Sequence, residues 1–145
     1  MSMQPRNYQS IYEKMREFDV DALWVCGDLH NNPDMVYFTG IHHVSDADLF
    51  LQIDAEPALF HRVTMESEEA AKSRLRSTPY FIDQPLSYYL ELSGGDLLHA
   101  YATRIAEALE SEGLVEGRIA LSGSGNIARQ YALIERVKES LPGLE

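Results

Sequence analysis

Hydrophobic and polar positions alternate along this chain in two different periods, and the switches between them set out its elements. Tyr8, Ile11, Tyr12, Met15 and Phe18 recur at helical spacing, with Asn7 placed to cap the helix they define. "ALWVCG" (22–27) is a short unbroken apolar run, the mark of a strand buried on both faces. In "NNPDMVYFTG", Asn32 is an N-cap, Pro33 occupies the first helical position, Asp34 lies at the positive end of the dipole and Gly40 stops the helix. "ADLFLQI" (47–53) and "PALFHRV" (57–63) are strands whose short "DAEP" link makes them an antiparallel hairpin.

The second half repeats the alternation. "MESEEAAKSRL" reads as a helix capped by Ser67, with Glu68 and Lys72 spaced for a surface pair. "PYFID" (79–83) is a strand, and "YYLEL" (88–92) supplies packing or a protein interface. Gly94, Gly95 and Asp96 introduce a helix whose Leu97, Leu98, Tyr101, Ile105 and Leu109 share one face, and Gly113 ends it. "RIALSG" (118–123) is a further buried strand. Asn126 then caps a last helix, with Ile127, Tyr131, Ile134 and Val137 on its inner face and Pro142-Gly143 at its close. The order implies one α/β domain over residues 1–145: a three-layer mixed sheet with an inserted antiparallel hairpin, flanked by helices.

Composition narrows the function. At 145 residues, 45% hydrophobic and 24% charged, the chain has the makings of one ordinary core. Its 23 acidic against 12 basic residues give a net charge of −11, which repels phosphate backbones and anionic lipid and argues against nucleic-acid or membrane partners. One cysteine, Cys26, inside an apolar run suits a reducing, cytoplasmic setting, and no signal-peptide core or membrane-length run is present.

The most chemical stretch is "HNNPDMVYFTGIHHVSDADLF" (30–50). His42 and His43 are adjacent, so in an extended segment they point to opposite sides and do not share an ion. Asp46 and Asp48 can share a face, but a full metal site needs three or four converging ligands. His30 and His61 are too distant in sequence to add. A nucleophile elbow at Ser122 is missing a glycine, because Ala120 stands there; at Ser124, Asn126 does the same. "SGSGN" (122–126) lacks both the dinucleotide pattern and a P-loop lysine, so it reads foremost as a tight turn into a capped helix. An autonomous enzyme built on His42, His43 and Asp46 has no recognisable motif behind it.

The sequence of pieces, "DALWVCG", "NNPDMVYFTGI", "ADLFLQIDAEPALFHRV" and "TMESEEAAKS", resembles the N-terminal domain of the creatinase/prolidase/Xaa-Pro aminopeptidase ("pita-bread") family. Asn32 with Tyr37, Phe38, Thr39 and Gly40 matches its helix ending in aromatic-x-Thr-Gly. Leu49–Ile53 and Ala58–Val63 fit its hairpin, and Glu66, Glu68, Glu69 and Ala70 fit the acidic start of its next helix. The resemblance implies a ribonuclease H-like fold and a chain without catalytic residues or cofactor of its own. Two divalent ions (Mn, Co or Zn), held by two Asp, one His and two Glu, would belong to a C-terminal catalytic domain absent from this sequence. It also implies a homodimer, contact with that catalytic domain in cis, and a loop of Ile41, His42 and His43 walling a neighbouring subunit's active site. Family members place an arginine near this loop where this chain has none, so an anion-gripping role is not expected. The alternative is a stand-alone small-molecule or nucleotide-binding α/β module using the strand ends and the 122–126 turn.

Overall fold

The computed structural model describes residues 8–27, 32–123 and 125–145. Its elements are α1 (Gln9–Glu17), β1 (Ala22–Gly27), α2 (Pro33–Thr39), β2 (Ala47–Gln52), β3 (Ala58–His61) and, after a 3-10 turn at Thr64–Glu66, α3 (Ser67–Ala71). There follow β4 (Arg76–Pro79), α4 (Leu86–Leu92), α5 (Leu97–Ser111), β5 (Glu116–Gly117), β6 (Ile119–Gly123), α6 (Ile127–Ser140) and β7 (Gly143–Leu144). Five strands form one mixed sheet in the order β4-β3-β2-β1-β6, and β5 pairs with β7 separately. β2 lies at the centre, antiparallel to both neighbours, while β1 with β6 and β3 with β4 are parallel pairs.

Strand alternation sends successive side chains to opposite faces and so makes two cores. On one face Val25, Leu49, Leu51 and Leu59 meet Tyr12 and Met15 of α1, Met35 and Phe38 of α2 and Ala70 of α3. On the other, Trp24, Phe50, Phe60 and Tyr80 meet Ala102, Ile105 and Leu109 of α5 and Leu133 and Val137 of α6. The result is the expected three-layer α/β architecture with its antiparallel hairpin. No helix among the described residues is long and apolar enough to cross a membrane.

The local signals around α2 hold in detail. Asn32 Oδ1 accepts the Met35 N–H at 3.2 Å, and its Nδ2 donates to Cys26 O at 3.0 Å, tying the helix start to the end of β1. Gly40 is left-handed at φ 69°, as a C-cap requires. Asp96 and Asn126 cap α5 and α6 by accepting the N–H of His99 and of Arg129, each at 3.0 Å. Asn7 lies outside the described residues.

Other expectations are corrected. The strand expected at 79–83 lies earlier, at Arg76–Pro79, because an edge strand need not be apolar; Tyr80 N–H still donates to His61 O at 2.9 Å just beyond it. The helix expected over 65–75 shrinks to the 3-10 turn and the five residues of α3, and Ser67 is its first residue rather than its cap, donating through Oγ to Thr64 O at 2.7 Å. Lys72 pairs with Glu69 at 2.5 Å instead of Glu68, the short helix favouring the three-residue spacing. Phe18, at the C-cap of α1, is exposed and lies off the buried face. Leu97 is also exposed, and α5 packs largely through alanines, whose small size lets it lie close to the sheet. Residues 86–92 form α4, a helix that its weak apolar period concealed. Finally, β6 is not buried on both faces. It is an edge strand; Leu121 is 51% exposed, and Ile127 and Tyr131 at the start of α6 are 85% and 65% exposed.

Candidate functional site

Polar side chains converge at one rim of the sheet, where β1, β3, β4 and β6 end and β2 begins. In open α/β sheets ligands gather at such carboxyl ends. Asp48 is the hub. It is fully buried, and its two carboxylate oxygens accept hydrogen bonds from Trp24 Nε1 and from Tyr80 Oη, both at 2.7 Å. Burial pushes its carboxyl up, opposed by the Arg62 cation and by these two donors. Burial and the neighbouring Asp48 charge likewise push the Tyr80 phenol well up, so Tyr80 stays a neutral donor.

The i, i+2 spacing of Asp46 and Asp48 does place both carboxylates on one side, and what they share is Arg62. Arg62 Nη1 pairs with Asp46 Oδ2 at 2.7 Å, and its guanidinium lies 4.3 Å from the Tyr101 ring centre, a cation–π geometry. Both carboxylates hold the Arg62 cation firmly protonated against the cost of burial. His61 is wholly buried on the opposite face of β3; Nδ1 lies 3.0 Å from Val63 O, while Nε2 has no partner. Burial lowers its pKa, which favours the neutral ring with Nδ1–H donating to Val63. Arg62, Trp24 and Tyr80 were not singled out in the sequence. The one signal for them is a buried carboxylate inside an apolar strand, which demands donors from neighbouring strands.

These contacts do not fit a metal. Asp46 and Asp48 are committed to Arg62, Trp24 and Tyr80, and among the described residues no group of three or more His, Cys, Asp or Glu side chains converges. His30 lies outside the described residues. Cys26 donates to Ser122 O at 3.3 Å, and burial pushes its thiol up to about 11, the opposite of an activated nucleophile.

The loop after α2 is braced at both ends and leaves its histidines exposed. Thr39 is buried, its hydroxyl donating to Met35 O at 2.7 Å and accepting the Ile41 N–H at 3.4 Å. With Gly40 left-handed, this turns the chain so that Ile41 and Val44 both enter the core. Ser45 N–H donates to the Glu66 carboxylate at 3.0 Å, closing the far side. His42 and His43 are left exposed between these anchors, their ring centres 6.4 Å apart and the planes tilted by 59°. Asp46, two residues beyond Val44, is held by Arg62.

The 122–126 turn serves the fold. Gly123, at φ 118°, pairs with Cys26, and a Cβ there would come within 2.0 Å of Cys26 O. Ser122 Oγ donates to Asp34, linking β6 to α2. The Asn126 side chain takes the Arg129 N–H that a phosphate would use, and the adjoining groove is lined by Leu121, Ile127, Tyr131 and Ile134. Ser124 lies outside the described residues.

The fold and rim define a class, a three-layer mixed α/β domain with a committed polar network and a presented loop. No protein-family model matches the chain, and no curated protein matches it. Solved structures do. A dipeptidase from Pyrococcus horikoshii OT3 superposes at a TM-score of 0.56 and 14% identity, over 88% of this chain and 31% of that one. A proline dipeptidase from Streptococcus pneumoniae TIGR4 superposes at 0.61 and 19% identity, over 97% of this chain and 89% of that one. The chain therefore has a fold found in dipeptidases and spans under a third of the Pyrococcus enzyme's length.

Proposed function

We propose that this chain is a non-catalytic domain of a hydrolase of the Xaa-Pro peptidase and creatinase type, mediating subunit contacts and lining a neighbouring subunit's active site. The observation that carries the reading is the shared fold with two dipeptidases. The divalent ions of such an enzyme belong in this reading to a separate catalytic domain, consistent with a rim whose carboxylates are already engaged. The residues offered to the neighbouring subunit are those of the presented loop. Ile41 anchors it, and His42 and His43 are exposed on it, offering imidazole nitrogens that suit a hydrogen bond to a substrate carboxylate.

The test uses the hydrolase that carries this domain, with His42→Ala and His43→Ala introduced together. Losing a hydrogen bond to a charged group costs about 1.5–3 kcal/mol, so KM for an Xaa-Pro dipeptide is expected to rise roughly tenfold or more, with kcat nearly unchanged. An unchanged KM removes the loop from the substrate wall. The nucleotide-binding alternative gains little from a 122–126 turn whose cap is satisfied and whose groove is apolar.

A further inference from the structure

His61 is a polar ring in an apolar place. It shares a sheet face with its cross-strand partner Ala47 and with Leu59, both in the core that Ala70 of α3 helps to cover. The residue is wholly buried, and Nδ1 has Val63 O as its partner while Nε2 has none among the described residues. The neutral ring leaves one acceptor unmet there. A second proton would turn Nε2 into a charged donor with nothing to receive it, a far larger cost in apolar surroundings.

His61 is also connected to the histidine loop. Val63 O, 3.0 Å from Nδ1, accepts the Glu66 N–H at 3.0 Å and so closes the 3-10 turn at Thr64–Glu66. That turn holds the Glu66 carboxylate against the Ser45 N–H, at 3.0 and 3.2 Å. Glu66 is also the carboxylate whose charge reaches His61. Other charged groups on the surrounding elements are engaged elsewhere: Glu69 of α3 pairs with Lys72, Asp46 before β2 with Arg62, and Arg76 of β4 with Glu112. Asp48 and Tyr80 bond each other on the opposite face of the sheet, and Glu68, His42 and His43 are exposed.

We propose that His61 and Glu66 form an acid-released latch on the loop of His42 and His43. In the closed latch the ring is neutral and Glu66 holds Ser45. A proton on His61 is accommodated when the 3-10 turn gives way, which brings the imidazolium to water or to Glu66 and frees Ser45. Thr39 and Ile41 keep the near side of the loop in place. Burial, opposed more weakly by the Val63 carbonyl and the Glu66 charge, holds the ring below the ordinary histidine value of about 6.5. The closed latch therefore binds the proton less readily than the open one, so closure is undisturbed above about pH 6.5 and weakens as pH falls below it. The device lies within this chain and holds whether or not the hydrolase reading does.

Amide hydrogen exchange of the 145-residue chain, with each rate referred to the free-peptide rate at the same pH, tests this. One proton linked to opening changes its equilibrium at most about tenfold per pH unit. Protection of the Ser45 and Glu66 amides is therefore expected to fall about three- to tenfold from about pH 7.5 to about pH 5.5, while the Ile41 amide keeps its protection. His61→Gln should abolish the fall, and His61→Leu, which suits the apolar face, carries the same expectation should the glutamine variant fail to fold. His42→Ala with His43→Ala should leave the fall intact. No fall in the wild-type chain, a fall that persists in a folded His61 variant, or an equal fall at Ile41 overturns the latch. A fall that vanishes with His42 and His43 also overturns it, assigning the response to the loop's own imidazoles.

Discussion

Replacing Asp48 by alanine is expected to cost about 3–5 kcal/mol, the range for leaving a buried charge or its hydrogen-bonded partners uncompensated. Alanine would strand the Trp24 indole N–H and the Tyr80 hydroxyl, each 2.7 Å from a carboxylate oxygen, and would remove one of the two carboxylates facing the Arg62 cation, leaving it paired with Asp46. Both stranded donors lie too deep for water to substitute freely. For a domain with about 5–15 kcal/mol of total stability that is a large share. Asp48→Asn keeps one acceptor for Trp24 and lets the Tyr80 hydroxyl turn, so it should cost less, about 1–2 kcal/mol. Urea titration followed by fluorescence of Trp24, the single tryptophan of the chain, measures both variants. A loss below about 1 kcal/mol for Asp48→Ala would show that the network is not what fixes this rim.

Phe50→Ala should be of similar size, about 3–5 kcal/mol. Phe50 is 2% exposed on the central strand β2, so no neighbouring element can slide in to close the void. Its ring lies 5.7 Å from that of Trp24 and 5.8 Å from that of Phe60, tilted contacts that add about 0.5–1.5 kcal/mol beyond area burial. Phe50→Leu preserves most of the volume and should lose about 1–2 kcal/mol. Because Asp48 and Phe50 sit two residues apart on one face and both touch Trp24, their losses should not add. A double variant that loses the full sum in the same denaturation experiment would mean that the polar hub and the aromatic cluster are independent.

Elements with strong local chemistry were legible in the sequence. Asn32-Pro33 and Gly40 bound α2, Asp96 and Asn126 cap their helices, and the five-residue link between β2 and β3 forces the hairpin. What stayed hidden depends on neighbours. The apolar residues of β6 and of the first turns of α6 read as buried because periodicity reports a face, not what covers it. β4 was displaced because its stability comes from one-sided pairing with β3 and the Arg76–Glu112 contact rather than from apolar content. At the rim, the sequence pointed to His42, His43, Asp46 and Asp48, and the histidines do stand exposed in a braced loop. The partners of the aspartates come from β1, from just beyond β3 and from just beyond β4, a convergence that no local spacing encodes.

That convergence bears on chemistry as well as stability. The rim carboxylates are engaged by a tryptophan, a tyrosine and an arginine, and among the described residues no group of three or more metal-ligating side chains converges, which supports reading the rim as a brace for the strand ends and the loop beside them. Calorimetric titration of the isolated 145-residue chain with Mn²⁺ and Co²⁺ tests this central claim most directly. The account predicts no stoichiometric binding in the micromolar range. A saturable isotherm with one or two sites of micromolar affinity would contradict it, because the chain would then carry a metal centre of its own.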